Sequence, residues 1–229
     1  MDAFSDHTSP PKELYYTATD WVYAFFHPAM IHQFYREFPM EEIDITTMKQ
    51  PLNWPTLGKP RPHYIAVVPN GRVWGGNGAV ISPDNKLIWD SSHDLFRHPH
   101  EHSIFSIQKL PPVTYTSETL APLTYAGSDK YYFWMFDVLG RFELLRRNNV
   151  KVDKYVFTPM RRPFQEETLS VLGIPKEKQI ICEQDTHIEA RKLFVTPLVA
   201  DTGIVPKWVC DFLRDEFFVK RGIKPSRKY

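Results

Sequence analysis

Strand-like and helix-like segments alternate in the second half of this chain, and this alternation constrains its fold more than any other feature. A helix is predicted where apolar side chains recur about every 3.6 residues, and a strand where a short β-branched or aromatic run is bounded by turn residues. By these criteria the predicted helices are residues 131–147, 163–172 and 206–220, and the predicted strands are residues 154–158, 179–182 and 192–197. Pro163 lies in a first helical turn and Gly173 follows a last one, as helix ends favour. Strands joined by helices predict an α/β fold with a mainly parallel sheet and flanking helices.

The region before this alternation predicts a β-meander. Its four short β-type runs are residues 65–68, 72–74, 79–81 and 87–89. Bends are expected between them at Pro69-Asn70-Gly71, at residues 75–78 and at residues 82–85, where Gly, Asn and Asp favour tight turns. The Gly-rich bend at 75–78 does not read as a phosphate loop, because neither a helix nor a Lys follows it.

These patterns divide the chain into three predicted parts. Residues 1–62 form an irregular N-terminal segment. A short helix is expected within residues 21–38, limited by Pro28 and Pro39, and the prolines of residues 51–62 predict an extended connector. Residues 63–122 form the β-rich preamble. Residues 123–229 form the α/β domain.

Charge and cysteine content exclude several classes of protein. The 28 basic and 27 acidic side chains leave a net charge of +1, which provides no general attraction to nucleic acid. Cys182 and Cys210 do not form a CxxC motif, so a disulfide framework is not expected. We therefore expect the chain to work in a reducing cytoplasm. The N-terminus has no secretory pattern, and no run of about 18 apolar residues is present. Association with the inner face of a membrane would therefore need a recruiting partner.

Four segments, in the same order and spacing, resemble the N-terminal half of family 61 glycosyltransferases. They are GRVWGGNGAVISPDNKLIWDSS at 71–92, YYFWMFDVLGRFELL at 131–145, RRPFQEETLSVLGIPKEKQII at 161–181 and LFVTPLVADTGIVPKWVCDFLRDEF at 193–217. The resemblance runs from about residue 65 to the end. Phe133 stands where the family usually has His, and Gly140 where it often has Pro. Since Phe133 cannot act as a neutral base, a catalytic role for that position is not expected.

The resemblance implies a fold and an activity. The fold would be Rossmann-like and mainly parallel, the N-terminal half of a GT-B arrangement whose C-terminal donor-binding domain is absent from this sequence. The activity would be glycosyl transfer in the synthesis of a capsule-like polysaccharide, from a nucleotide sugar as co-substrate and without another cofactor. Its partners would be a glycan acceptor and the nucleotide sugar held by the other half, and homodimerisation stays open. We expect this chain alone to have little or no transferase activity.

The resemblance also suggests which residues contact substrate. Asp137 is a candidate for acid–base chemistry, with Trp134 and Arg141 on the same helix face as acceptor-binding residues. The alternative is that Asp137 and Arg141 form an ordinary ion pair within the helix. Three further candidates, Arg161, Arg162 and Gln165, lie where a strand leads into a helix, and the alternative for them is a solvated basic loop.

A histidine-rich segment, SSHDLFRHPHEH at 91–102, suggests metal binding on composition alone. Its spacing matches no standard zinc pattern, so a solvated loop is expected and no metal site. Two alternatives to a transferase remain. One is a non-catalytic carbohydrate-binding or scaffolding remnant of such an enzyme, and the other is a metal-dependent hydrolase that uses this segment.

Overall fold

One ten-stranded sheet organises the computed structural model, which describes residues 7–38, 62–94, 96–201 and 204–223. The strands are β1 (Leu14–Tyr15), β2 (Tyr35–Phe38), β3 (His63–Pro69), β4 (Arg72–Trp74), β5 (Ala79–Ile81), β6 (Leu87–Ile88), β7 (Thr114–Pro122), β8 (Lys154–Phe157), β9 (Gln179–Ile181) and β10 (His187–Val195). The α-helices are α1 (Ala18–Phe25), α2 (Ile31–Phe34), α3 (Tyr131–Phe133), α4 (Leu139–Arg147), α5 (Pro163–Val171) and α6 (Lys207–Arg214). π-Helical segments cover Trp134–Val138 and Asp215–Val219, and 3₁₀ turns cover Pro28–Met30, Trp89–Ser91, Pro99–Glu101, Ser103–Ser106 and Lys176–Lys178.

The sheet is mixed. Its main path runs β1-β6-β5-β4-β10-β7-β8-β9, with β3 paired to β10 and β2 paired to β3. The pairs β1–β6, β10–β7, β7–β8 and β8–β9 are parallel, and the remaining pairs are antiparallel. The expected α/β class with flanking helices is therefore confirmed, with a mixed sheet in which three of the four parallel pairs join β7, β8, β9 and β10.

The parallel part has the order β9-β8-β7-β10, so the chain returns past β7 to place β10 on its other side. Ligands of open α/β sheets bind at such a reversal, beyond the carboxyl ends of the strands. Only residues 182–186 connect β9 to β10, and they contain no helix. This connection is shorter than the dozen or so residues that a helical crossover needs.

The sheet curls strongly, which explains the short connection. The Cys182 thiol, directly after β9, donates a hydrogen bond to the Gly75 carbonyl at the end of β4, with the two atoms 2.9 Å apart. In the sheet order β8, β7 and β10 separate these two strands. Buried residues of both regions, including Val73, Val156 and Ala190, belong to one apolar cluster.

The predicted turn at Pro69-Asn70-Gly71 separates β3 from β4, but the expected reversal of the chain there is wrong. Both β3 and β4 pair with β10 in the same antiparallel register, from Val195 opposite Ala66 to His187 opposite Trp74. Asn70 adopts a left-handed conformation (φ 54°), yet the chain continues along the same partner. The prediction failed because β10 begins five residues before the predicted start at Lys192 and so supplies a partner for both segments.

The other predicted bends are confirmed, because β4–β5 and β5–β6 are antiparallel pairs joined across residues 75–78 and 82–86. Residues 131–147 form one helix, as predicted, with the π segment between α3 and α4. Gly173 (φ 69°) ends α5 as expected, and the Ile174 amide donates to the Leu169 carbonyl. Strand β7 was not predicted. Most of the predicted connector 51–62 lies outside the described residues.

The predicted boundaries at residues 62 and 122 do not separate independent sheets, since β1, β2, β3 and β10 all belong to one sheet. Helix 131–147 packs on one face, in a cluster that includes Leu139, Leu145, Val209 and Phe212. Helix α1 packs into the cluster on the other face through Ala18, Trp21 and Val22. A hydrogen-bonded capping box between Thr17 and Asp20 begins α1.

Candidate functional site

A polar cleft of about 230 Å³ lies beyond the carboxyl ends of β7, β8 and β9. Its walls come from four loops, which follow these three strands or join β4 to β5. The lining residues are Gly76, Asn77, Tyr125, Gly127, Asp129, Thr158, Pro159, Arg161, Glu183 and Gln184. The cleft therefore combines two carboxylates, one guanidinium, two side-chain amides and hydroxyls at the sheet edge where α/β folds bind ligands.

Arg161 is exposed in this cleft, as the strand-to-helix position predicted. Arg162 is also exposed but does not line the cleft. Gln165 is fully buried, and its Oε1 accepts hydrogen bonds from the Arg161 amide (2.9 Å) and the Arg162 amide (3.0 Å). Gln165 therefore holds the loop that carries Arg161 and does not itself face a ligand, which corrects its predicted role in substrate binding.

Trp134 does not form an acceptor platform. Its side chain is fully buried, its indole Nε1 donates to Thr168 Oγ1 at 2.9 Å, and its ring lies 5.7 Å from that of Phe157. The helical spacing correctly grouped Trp134 with the buried positions of its helix. The prediction of an exposed aromatic surface failed because α5 covers this face.

Arg141 occupies the crevice between β7 and β10 and closes it. Its guanidinium is fully buried and donates to the carbonyls of Pro122 (2.7 Å) and Thr196 (2.9 Å), which follow or end these two strands, and to Thr196 Oγ1 (2.9 Å). Burial lowers the pKa of Arg141 to about 10, against the opposing effect of the Asp137 charge, so the group remains cationic at neutral pH. Arg141 joins two strands and is not open to substrate, contrary to its predicted role.

Asp137 lies behind the cleft and not in it. Its carboxylate is 2 % exposed and accepts hydrogen bonds from the Tyr125 hydroxyl (2.8 Å) and the Ala200 amide (2.9 Å). Tyr125 is a lining residue of the cleft, so this hydrogen bond connects Asp137 to the wall of the cleft. Asp137 also lies in the π segment, a distortion that often accompanies functional sites.

A second buried carboxylate, Asp90, lies near the same crevice. It accepts hydrogen bonds from the Tyr64 hydroxyl and from the Ala18 amide, the latter at 3.3 Å, and its own carbonyl accepts from the Leu198 amide. Burial raises the pKa of Asp90 to about 7, and the bonds from Tyr64 and Ala18 and the charge of Arg141 only partly offset it. Burial also raises the pKa of Tyr64.

The histidine-rich segment is used to stabilise its own turns. The buried His102 ring donates to the Ser92 carbonyl (3.0 Å) and accepts from the Ile104 amide (3.0 Å), and His100 contacts the Tyr16 hydroxyl (2.9 Å). His93 stacks on Trp89 at 4.6 Å between centroids. Within the described residues, no group of three or more His, Cys, Asp or Glu side chains is arranged to hold a metal ion.

Several cleft residues escaped the sequence-based prediction. Thr158 and Glu183 end or follow predicted strands, so the rule that identified Arg161 could have identified them. Asp129 and Tyr125 follow β7, which was not predicted. Asn77 comes from the hairpin between β4 and β5, and β10 separates this hairpin from β7, β8 and β9 in the sheet order. The curl of the sheet brings Asn77 into the cleft.

Comparisons with known proteins yield no relative: no family model, no curated protein and no solved structure matches this chain. None of the helices in the described ranges is long and apolar enough to cross a membrane.

Proposed function

We propose that this chain is the acceptor-side half of a glycosyltransferase that builds a capsule-like polysaccharide, using a nucleotide sugar as donor. The observation that carries this proposal is the polar cleft at the carboxyl ends of β7, β8 and β9. The resemblance of four segments to family 61 glycosyltransferases supplies the reaction class.

The composition of the cleft supports a saccharide ligand. Carboxylates of Asp129 and Glu183 are acceptors for sugar hydroxyls, and Asn77 and Gln184 can both donate and accept. Arg161 adds a fixed cation that suits an acidic group on either substrate. A small number of convergent polar groups in a concave site is typical of small-molecule recognition.

The order β9-β8-β7-β10 supports a Rossmann-like half of a GT-B arrangement. In that order the first three parallel strands lie side by side and the fourth lies beside the first, which is the 3-2-1-4 order around the switch point of a doubly wound sheet, although residues 182–186 join β9 to β10 without a helix. The antiparallel strands β3 and β4 on the other side of β10 then belong to the β-rich preamble.

Within this proposal the chemistry is divided between residues in the cleft and residues behind it. Asp129 and Glu183 are the carboxylates placed to accept the proton of an acceptor hydroxyl, and Arg161 is the cation placed to stabilise negative charge. Asp137 acts as a positioning residue through Tyr125. Trp134, Arg141 and Gln165 maintain the walls of the site. The cytoplasmic setting expected from a chain with two cysteines and no CxxC spacing belongs to the same proposal.

The second candidate function is a carbohydrate-binding remnant without catalysis. One observation in its favour is Phe133, which stands where the resembled family usually has His. The other is the burial of Asp137, because the helix of residues 131–147 then has no carboxylate that faces the cleft. Both functions require saccharide binding, and only the first requires transfer.

Saccharide binding is tested by titrating the chain with a panel of neutral, amino-sugar and uronic-acid oligosaccharides, using calorimetry and backbone NMR. We expect at least one binder, with shifts at residues 125–129, 158–161 and 183–184. Arg161→Ala should weaken binding roughly tenfold, whereas the matched control Arg162→Ala should not, because only Arg161 lines the cleft. A panel without a binder, or shifts confined to another surface, would contradict the proposal.

Transfer is tested by release of nucleoside diphosphate from sugar nucleotides. This chain alone should give little or none, so turnover by it would overturn the half-enzyme proposal. Expression of the gene's whole reading frame should restore transfer, with a large loss of kcat in Asp129→Asn or Glu183→Gln. Saccharide binding without transfer in that product would support the remnant instead.

A further inference from the structure

The cleft does not end at Arg161 but continues as a groove along α5 and the edge strand β9. A second cavity of about 410 Å³ shares Pro159, Arg161 and Glu183 with the cleft. A third cavity of about 340 Å³ shares Glu166, Lys176 and Gln179 with the second. The three cavities therefore adjoin one another in a row, and we call this row the extended groove.

The extended groove is longer than one sugar ring. It follows α5 from the Arg161 loop before the helix to Gly173 after it. The nine residues of α5 at about 1.5 Å per residue alone correspond to roughly 14 Å. A ligand that occupies the whole groove must therefore be chain-like.

The walls of the extended groove are held by internal hydrogen bonds. At the end near the cleft, Gln165 fixes the Arg161 loop through two backbone amides. At the far end, Gln179 Nε2 donates to the Ile174 carbonyl at 2.8 Å, and this bond holds the edge strand to the loop that follows α5. A groove whose walls are already ordered loses little conformational entropy when a ligand binds.

Charges of both signs alternate along the extended groove and the cleft. Asp129, Glu183 and Glu166 provide three carboxylates, and Arg161 and Lys176 provide two cations. A polyanion would meet the carboxylates and a polycation would meet Arg161 and Lys176. A neutral chain with many hydroxyls can instead donate to the carboxylates and accept from the cations.

We propose, on the basis of the proposed function, that the extended groove binds a neutral linear oligosaccharide. One end of the chain lies in the cleft and the following sugar units lie along α5 and β9, as far as Glu166 and Lys176. Acceptor recognition then depends on chain length, because each further unit adds contacts outside the cleft.

The experiment measures binding of neutral oligosaccharides from the same panel at lengths of two, four and six units to the full chain. We expect affinity to rise roughly tenfold or more from two to six units. The double variant Glu166→Ala/Lys176→Ala should remove most of that gain and leave disaccharide binding unchanged. Glu167→Ala/Lys178→Ala is the matched control, because these exposed neighbours do not line the groove.

The outcomes separate this inference from the proposed function. Disaccharide binding in the cleft with no gain in longer chains would overturn the inference and leave the proposed function intact. Binding of no saccharide at any length would overturn both. Preferential binding of uronic-acid chains would also overturn the inference, because such binding requires an excess of cations. Preferential binding of extended peptides alongside β9 would overturn it too, because these would pair with the edge strand.

Discussion

Asp90 is a carboxylate removed from water, with a neutral phenol as its main partner. Tyr64 and the Ala18 amide satisfy its oxygens, but neither supplies a full positive charge, and Arg141 acts on it only through its charge. Burial therefore determines its protonation, and the pKa of Asp90 rises to about 7. The protonated form is favoured in the folded state at pH values where an exposed Asp is ionised.

This shift predicts a pH dependence of stability. Because the folded pKa lies above the unfolded value, the contribution of Asp90 is fully present below about pH 4 and is lost as pH rises through about 7. Asp90→Asn, which resembles the protonated acid, should therefore gain stability relative to the unaltered chain across this range, by at most about 4 kcal/mol. Urea unfolding between pH 4 and 8 measures the difference.

Asp185→Asn serves as the control for this prediction, since Asp185 is exposed on a turn and remains in contact with water. Asp185→Asn should not reproduce the gain in unfolding free energy that is expected of Asp90→Asn. If Asp90→Asn behaved in the same way as this control, the Asp90 carboxyl would not be protonated in the folded state at neutral pH.

The helix of residues 131–147 meets the segment after β10 at very short range. A Cβ added at Gly140 would lie 2.6 Å from Val199 Cγ2, and the branched valine is held in the core at 1 % exposure. Glycine at this position allows the helix to approach residues 198–200. The same approach places Asp137 next to the Ala200 amide.

Gly140→Ala should therefore destabilise the chain by about 1–3 kcal/mol, because overpacking forces a backbone or rotamer shift that exceeds the gain in helix propensity. The midpoint of urea unfolding measures this. Gly76→Ala is the matched control, since the nearest atom to its added Cβ is at an ordinary 3.5 Å. A stabilised Gly140→Ala variant would show that Val199 can move away at little cost.

At the scale of the whole molecule, Arg141 joins the two parts of the sheet. It binds the carboxyl end of β7 and the residue after β10, the strand that β3 and β4 also pair with. One guanidinium thus links the strands that precede the cleft to the antiparallel strands on the other side of β10. A planar fork with several donors is required, because the acceptors belong to different strands.

Arg141→Lys keeps the charge but loses this fork, and we expect it to lower the unfolding free energy by about 1.5–3 kcal/mol. Hydrogen exchange should accelerate at the amides of residues 120, 121, 123, 195, 196 and 198 before it does elsewhere in the sheet. Arg147→Lys is the control. Arg147 is exposed on the same helix, and its guanidinium makes a cation–π contact with the Trp208 ring, which a Lys ammonium can also make. Equal stability of the two variants would argue against Arg141 as a link between strands.

The sequence by itself determined the features that depend on neighbouring residues. Helix 131–147 follows from apolar periodicity, the end of α5 follows from Gly173, and the hairpin at residues 75–78 follows from turn chemistry. These features need only a few consecutive residues, because backbone conformation and side-chain period act locally. The position of Arg161 at the carboxyl edge of the sheet also followed, since a strand that leads into a helix has a defined direction.

Only the tertiary structure decided which polar groups face the cleft. Asn70 looks like a turn residue, but β10 extends past it and keeps both flanking strands in one register. Trp134 and Arg141 share a helix face with Asp137. However, α5 covers Trp134, and the ends of β7 and β10 enclose Arg141. Asp129, Asn77 and Glu183 meet because the sheet curls. Burial and strand partners depend on residues distant in the chain, and local patterns carry no information about them.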